Sequence, residues 1–148
     1  CPRPSCRPVT SPLITARWRL VYTTSDTVLG RNRPEPFRPA GAIYQVKIDP
    51  THPLGFGMDG KFYTLKNNGS RYAYLDNGVN VGIIPDAAAY RFGYIGNKIK
   101  PKMPKSMVYG VENQGRGQIV YMSDNPMFRS FWESGKLLVA NAVFLVGQ

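Results

Sequence analysis

Two short polar segments carry the side chains of this chain that could do chemistry. One lies at residues 49–52 and the other at residues 124–129, and each stands beside apolar residues. Their chemistry-bearing members are Asp49, Thr51, His52, Asp124, Asn125 and Arg129. Because open α/β sheets commonly bind ligands at their strand ends, we predict that the two segments meet there as a ligand-binding site.

A structural role accounts for the same residues without any ligand. Asp124 or Asn125 can cap a following helix, and Arg129 can form a salt bridge. His52 can fix a turn between strands by hydrogen bonding to the backbone. The sequence favours this structural interpretation and leaves the ligand-binding one open.

The machinery for catalysis is incomplete in this sequence. His52 is the single histidine, and Cys1 and Cys6 lie in a proline-rich run. Two thiols without a His or Cys cluster cannot build the usual four-ligand zinc site, and a nucleophilic cysteine needs a strand before it and a helix after it. A local disulfide, a lipid on Cys1 and two idle thiols stay open, with idle thiols favoured. We predict no catalytic residues, no metal site, no cofactor and a chain that is not an enzyme by itself.

The net charge of +10 comes from 19 Lys and Arg against nine Asp and Glu. Such a balance favours binding to phosphates, because clustered cations release counterions from nucleic acids. Here the cations cluster in a proline-rich start, residues 1–40, and in a proline-containing loop, residues 98–105. Charges in such segments are usually solvated, and no recognised nucleic-acid-binding motif accompanies them. The sequence therefore argues against a nucleic-acid partner.

The composition indicates one strand-rich domain. Of the 148 residues 43% are hydrophobic, and nine Tyr and seven Phe lean the chain towards strands. The longest apolar stretch, residues 137–146, is interrupted by Asn141 and is shorter than the roughly 20 residues that a membrane-spanning helix needs. We predict no transmembrane segment.

Alternating apolar residues and turn-forming pairs place the strands. We predict strands at residues 17–24, 42–48, 61–65, 71–75, 79–84, 106–111 and 118–123. The pairs Asp59-Gly60, Asn68-Gly69 and Asn77-Gly78 are preferred in tight hairpin turns, because both central positions need positive φ. Residues 114–117 supply a turn between the last two strands. A meander of antiparallel strands follows.

Two helices are predicted after the last strand. Asp124 or Asn125 caps the first, Pro126 suits its first position, and Gly135 divides it from a second helix at residues 136–146. The apolar faces consist of Phe128, Phe131 and Trp132 in the first helix and of Leu138, Ala142 and Leu145 in the second. The fold class is thus α+β, a strand-rich mixed and mostly antiparallel sheet closed by one or two C-terminal helices.

Five segments, in order along the chain, resemble a known family. They are IDPTHPLGFG at 48–57, FYTLK at 62–66, NGVNVG at 77–82, GRGQIVYMSDNPMFRSFW at 115–132 and KLLVANAVF at 136–144. Together they are similar to the C-terminal accessory domain of bacterial zinc carboxypeptidase-like proteins, which is related to class I glutamine amidotransferases. The resemblance spans about residues 41–148. It implies a sheet like the later part of an amidotransferase-like α/β domain.

The resemblance also implies which chemistry is missing. A carboxypeptidase needs a zinc ion held by side chains such as two His and a Glu, and that site would lie on an upstream domain. An amidotransferase needs a Cys on a strand-to-helix turn and a His oriented by a carboxylate, but Leu54 follows His52-Pro53 where the carboxylate belongs. The implied role is a non-catalytic accessory or substrate-presenting domain, with a zinc carboxypeptidase catalytic domain as the implied partner.

The start of the chain resembles a different family. RWRLVYTTSD at 17–26, Arg33-Pro34 and RPAGAIYQ at 38–45 look like the opening of the plastid lipid-associated protein (fibrillin) family, a lipocalin-like barrel. This alternative implies an apolar ligand, although a barrel needs about eight strands and the pattern supplies about two. The two patterns meet near Gly41. A natural fusion, an assembly artefact and a designed chimera all remain open.

These observations divide the chain into three parts. Residues 1–12 form a Pro-rich leader, residues 13–40 a fibrillin-like strand and Pro-rich loop, and residues 41–148 the amidotransferase-like accessory domain. The carboxypeptidase resemblance implies a secreted or periplasmic location, and the fibrillin resemblance implies a plastid. Because the earlier half of the related domain is missing, we expect exposed sheet edges that allow self-association.

Overall fold

A seven-stranded sheet and one C-terminal helix form the part of the chain that the computed structural model describes, residues 19–22, 41–67, 71–130 and 132–147. The elements are β1 (Arg19–Tyr22), β2 (Ala42–Ile48), β3 (Lys61–Lys66), β4 (Gly78–Ile84), β5 (Tyr90–Gly93), β6 (Ser106–Gln114), β7 (Gly117–Met122) and α1 (Glu133–Phe144). All strand pairs are antiparallel except β1 with β7. The predicted α+β class is confirmed, with one helix.

Strand β2 pairs with three other strands of the sheet, β3, β4 and β5. The strand order is β1, β7, β6, β4, β2, β3, and β5 also pairs with β2. β4 lies opposite the end of β2 at Lys47 and Ile48, whereas β5 lies opposite its beginning, from Ala42 to Tyr44. A 3-10 turn, Ala87–Ala89, separates β4 from β5. The two strands therefore act as one interrupted strand along the same edge of β2.

The main core lies between the sheet and α1. Side chains of a strand alternate between its faces, and β2 accordingly buries Ala42, Tyr44, Val46 and Ile48. The helix contributes Leu138 and Ala142, and Val146 joins this core just after the helix ends. The predicted apolar stripe also includes Leu145, but this residue is 38% exposed. Since α1 ends at Phe144, Leu145 does not continue the buried face of the helix.

A second, smaller core covers the opposite face of β6 and β7. It contains Tyr72, Leu75, Met107 and Tyr121. The segment 71–75, predicted as a full strand, forms only one bridge, between Tyr72 and Met107. Tyr72 and Leu75 pack over the sheet, and the segment does not extend the sheet as a strand. β6 is consequently buried on both faces over most of its length.

The turn between β2 and β3 differs from its prediction. The connection runs from residue 49 to residue 60 and contains a 3-10 turn, Pro53–Gly55, so Asp59-Gly60 does not form a two-residue hairpin. Only Gly60 of that pair has a positive φ, +73°. Between β6 and β7 the prediction is confirmed, because Gln114 lies opposite Gly117 and Gly115 has a φ of +61°. Asn68-Gly69 lies outside the described residues.

The first of the two predicted helices is not formed by the described residues 124–130. After β7 the chain makes a 3-10 turn, Phe128–Ser130, in which Arg129 and Ser130 both have positive φ, 51° and 61°. Left-handed residues of this kind stop a right-handed helix. Gly135, predicted as the divider, lies inside α1. Within the described ranges no helix is long and apolar enough to cross a membrane.

Candidate functional site

A buried ion pair joins β3 to the segment that follows β7. The Nζ atom of Lys66 lies 3.0 Å from Oδ1 of Asp124, and the two side chains are 0% and 1% exposed. The hydroxyl of Thr64 donates to Oδ2 of Asp124 at 2.9 Å, and Nζ of Lys66 also donates to the Ser123 hydroxyl at 3.4 Å. Both carboxylate oxygens thus have a partner inside the protein.

The alternation of β3 explains why a lysine is buried there. Phe62, Thr64 and Lys66 occupy every second position and point to the core, while Lys61 and Tyr63 are exposed. A charged group in a dry interior is stabilised only if it is paired and hydrogen-bonded. Asp124 supplies that charge, so the pair fastens the chain after β7 to the edge strand β3.

The segment 49–52 forms a compact turn after β2. Oδ1 of Asp49 accepts hydrogen bonds from the Thr51 backbone N–H at 3.0 Å and from its hydroxyl at 2.6 Å. Nδ1 of His52 accepts from the Leu54 backbone N–H at 3.1 Å and so caps the turn Pro53–Gly55. The prediction that His52 fixes a turn through the backbone is confirmed.

These contacts shift two pKa values. Burial lowers the pKa of His52 below its ordinary value of 6.5, and the Asp49 carboxylate opposes part of that change. The hydrogen bond from the Thr51 hydroxyl, and then the one from its backbone, lowers the pKa of Asp49 below 3.8. Neutral His52 keeps its Nδ1 lone pair free to accept, which is the form that the cap requires.

We expect the free energy of unfolding to fall as the pH is lowered through about 6.5. The reason is that the histidine of the unfolded chain takes up a proton there, whereas His52 of the native protein is protonated only at lower pH. The fall ends once the pH is below the lowered native pKa. His52 is the single histidine, so urea unfolding between about pH 5 and 7.5 isolates its effect. His52→Asn, which can still accept from Leu54, should flatten this dependence. An unchanged slope in the variant would contradict the assignment.

The two predicted polar segments lie at opposite ends of β2. Asp124 contacts Thr64, which pairs with Tyr44, whereas Asp49 directly follows Ile48. The five residue steps from Tyr44 to Asp49 correspond to about 16 Å along a strand. The structure therefore does not bring Asp49, Thr51 and His52 together with Asp124. It assigns each segment separate partners.

The remaining two predicted site residues lie close to Asp124 in the chain. Oδ1 of Asn125 accepts from the Met127 backbone N–H at 3.0 Å, which closes a local turn and caps no helix. Arg129 is exposed, and its guanidinium lies 5.2 Å from the Phe128 ring centroid. Its predicted salt bridge is not formed with any residue of the described ranges.

The fold and these contacts define a strand-rich α+β protein whose predicted site residues are engaged mainly in internal contacts. Comparison of the chain with protein-family models, curated proteins and solved structures finds no match. In the described segments no group of three or more His, Cys, Asp or Glu residues is placed to hold a metal ion.

Sequence reasoning missed Lys66 and Tyr44. Both occupy inward positions of the alternating pattern, which was the available signal. The Tyr44 hydroxyl is buried without a hydrogen-bond partner among the described residues, and burial raises the pKa of this phenol to about 12. Its ring contacts that of Tyr90 edge-on, with centroids 5.7 Å apart. Tyr44 therefore stays neutral and serves packing.

Proposed function

We propose that residues 41–148 form a non-catalytic accessory domain, equivalent to the later part of an amidotransferase-like domain. The observation that carries this proposal is the use of the polar side chains. Asp124 and Lys66 form an ion pair in the core, and Nδ1 of His52 accepts a hydrogen bond from the Leu54 backbone N–H. Groups engaged in this way stabilise the fold and are not poised to exchange protons with a substrate.

The partner in this proposal is a zinc carboxypeptidase catalytic domain. Support comes from the five ordered sequence segments, 48–57 to 136–144, which lie on β2, β3, β4, β7 and α1 and on the turns beside them. An accessory domain of this kind would hold or present a peptide, while the partner would supply the zinc site. The fibrillin alternative rests on residues 13–45, and most of that range lies outside the described residues.

We expect the purified chain to show no peptide or amide hydrolysis above background. The measurement is release of C-terminal residues from unblocked peptides and of ammonia from glutamine, before and after His52→Ala. A rate that the substitution abolishes would overturn the non-catalytic proposal, since His52 is the chain's single histidine.

As a positive test, the chain should bind a bacterial zinc carboxypeptidase catalytic domain in analytical ultracentrifugation. Failure to bind would count against the proposed partner alone.

A further inference from the structure

The outer face of strands β3, β2 and β5 carries an unusual combination of side chains. This face points away from the main core and from α1. Its exposed members are Lys47, Lys61, Arg91, Tyr63 and Phe92. We refer to these five residues as the basic aromatic face. Strand register gathers them there, although they are spread over 46 positions of the sequence, from 47 to 92.

Two lysines on this face lie directly opposite each other. Lys47 of β2 pairs with Lys61 of β3, and both are exposed. Like charges directly opposite on neighbouring strands destabilise a sheet. Neither lysine forms an ion pair with any carboxylate of the described residues. An anion bound between them would relieve the repulsion.

Arg91 adds a third cation, and it forms no ion pair with a carboxylate in the part of the chain that the structure describes. Its Nε and one terminal nitrogen donate to the amide oxygen of Gln45, which stands in the same cross-strand row as Tyr63. The contact holds the guanidinium against the sheet, and the neutral amide of Gln45 does not cancel its charge. Asp49 and Asp59 lie beyond the ends of β2 and β3, so these two carboxylates border the face.

The two aromatic side chains of this face, Phe92 and Tyr63, are both exposed to solvent. Phe92 is 69% exposed and Tyr63 is 46% exposed. Phe92 pairs with Ile43 and Tyr63 with Gln45, so β2 separates the two rings. Two strand spacings and an offset of two residues place their Cβ atoms about 12 Å apart. Each ring can therefore accept a flat group of its own.

We propose that the basic aromatic face binds a single-stranded nucleic acid. Unstacked bases would lie on Phe92 and Tyr63, the phosphate between them would meet Arg91, and the phosphates beyond Tyr63 would meet Lys47 and Lys61. Stacking rings beside cations are the combination by which single strands are commonly held. An acidic polypeptide offers the charges but not a succession of flat groups. A duplex keeps its bases stacked and away from the rings. This inference goes beyond the accessory role and does not depend on it.

The basic aromatic face is distinct from the two clusters of cations that are evident in the sequence. Those clusters are the arginines of residues 1–40 and the lysines of residues 98–105. None of the five residues of the basic aromatic face belongs to either cluster. Only the pairing of β2 with β3 and β5 makes them neighbours.

The test is fluorescence anisotropy of the full chain with a labelled oligothymidylate of about 12 nucleotides, a length within the usual site size. Phe92→Ala should weaken binding about tenfold, because one base loses its stacking partner. Phe92→Tyr should retain binding. Phe144→Ala is the matched control, since Phe144 is also 69% exposed but lies on α1, and it should leave binding unchanged. All three replace exposed side chains, and thermal unfolding should confirm that each variant is folded.

The charge contribution is measured by salt titration. Replacing both Lys47 and Lys61 with Gln should reduce the slope of log affinity against log salt by about 1.4, or about 0.7 for each lost contact to a single strand. Arg116→Gln, in the turn between β6 and β7, is the control and should leave the slope unchanged.

Several outcomes would overturn the proposal. Equal losses for Phe92→Ala and Phe144→Ala would show that the ring of Phe92 has no special role. Binding to a duplex of the same length as tight as to the single strand would exclude base stacking. Tighter binding to polyglutamate would identify an acidic polypeptide as the occupant. No binding at low salt, with size exclusion showing a dimer, would indicate that a second copy of the chain covers the face.

Discussion

Replacing Asp124 with Ala should lower the free energy of unfolding by about 3–5 kcal/mol, because the substitution leaves the ammonium of Lys66 charged and fully buried. The loss also removes the acceptor of the Thr64 hydroxyl. Urea unfolding followed by circular dichroism measures the change. If the variant is too unstable to purify, Asp124→Asn keeps the shape and should be destabilised in the same direction.

Two controls separate the buried pair from a general effect of removing charge. The double variant Lys66→Met with Asp124→Leu should be more stable than Asp124→Ala, since well-packed apolar residues can replace a buried ion pair. Glu133→Ala breaks the pair between Glu133 and Lys136, which is shorter at 2.7 Å but exposed. It should cost about 0.5 kcal/mol or less. Equal losses for the buried and the exposed pair would contradict our interpretation.

Gly135→Ala should destabilise the protein by about 1–3 kcal/mol, although alanine is the better helix former by about 1 kcal/mol. A Cβ atom at Gly135 would lie 1.7 Å from the backbone oxygen of Pro126 and 2.5 Å from its carbonyl carbon. Backbone atoms cannot rotate aside as a side chain can. The first turn of α1 would have to move away from the segment that follows β7.

The matched control for this prediction is Gly96→Ala. A Cβ atom at Gly96 would meet nothing within 4 Å, and the residue does not adopt a positive φ. Reduced entropy of the unfolded chain should make this variant equal to the wild type or more stable by up to about 1 kcal/mol. Both variants are measured by urea unfolding. A stabilised Gly135→Ala would show that helix propensity outweighs the close contact.

Local chemistry was sufficient to predict most strands. The bounds of β2 were predicted as residues 42–48, and β3, β4, β6 and β7 were predicted within a few residues of their observed ends. The alternation of apolar side chains depends only on neighbours in sequence, so it is readable there. The turn before β7 was equally clear, because Gly115 supplies the positive φ that a tight turn needs.

The structure after β7 was not predictable from local signals. Pro126 beside Asp124 and Asn125 favours a helix start, yet Asp124 is withdrawn into the core by Lys66, 58 residues earlier in the chain. Because glycine is a poor helix former, Gly135 predicts a break between two helices. In the fold it is the residue that lets α1 approach the backbone of Pro126. Both errors arise where a distant contact outweighs a local preference.

Most of the strands, the basic charge and the small number of groups able to do chemistry are therefore readable in the amino-acid order. Which of those groups meet depends on the fold. The fold places His52 and Asp124 at different positions along β2 and places Lys47 opposite Lys61. It also pairs Asp124 with Lys66, whose side chain points to the core. The physical reason is that strand register and burial are set by contacts between residues far apart in the chain, which no local pattern records.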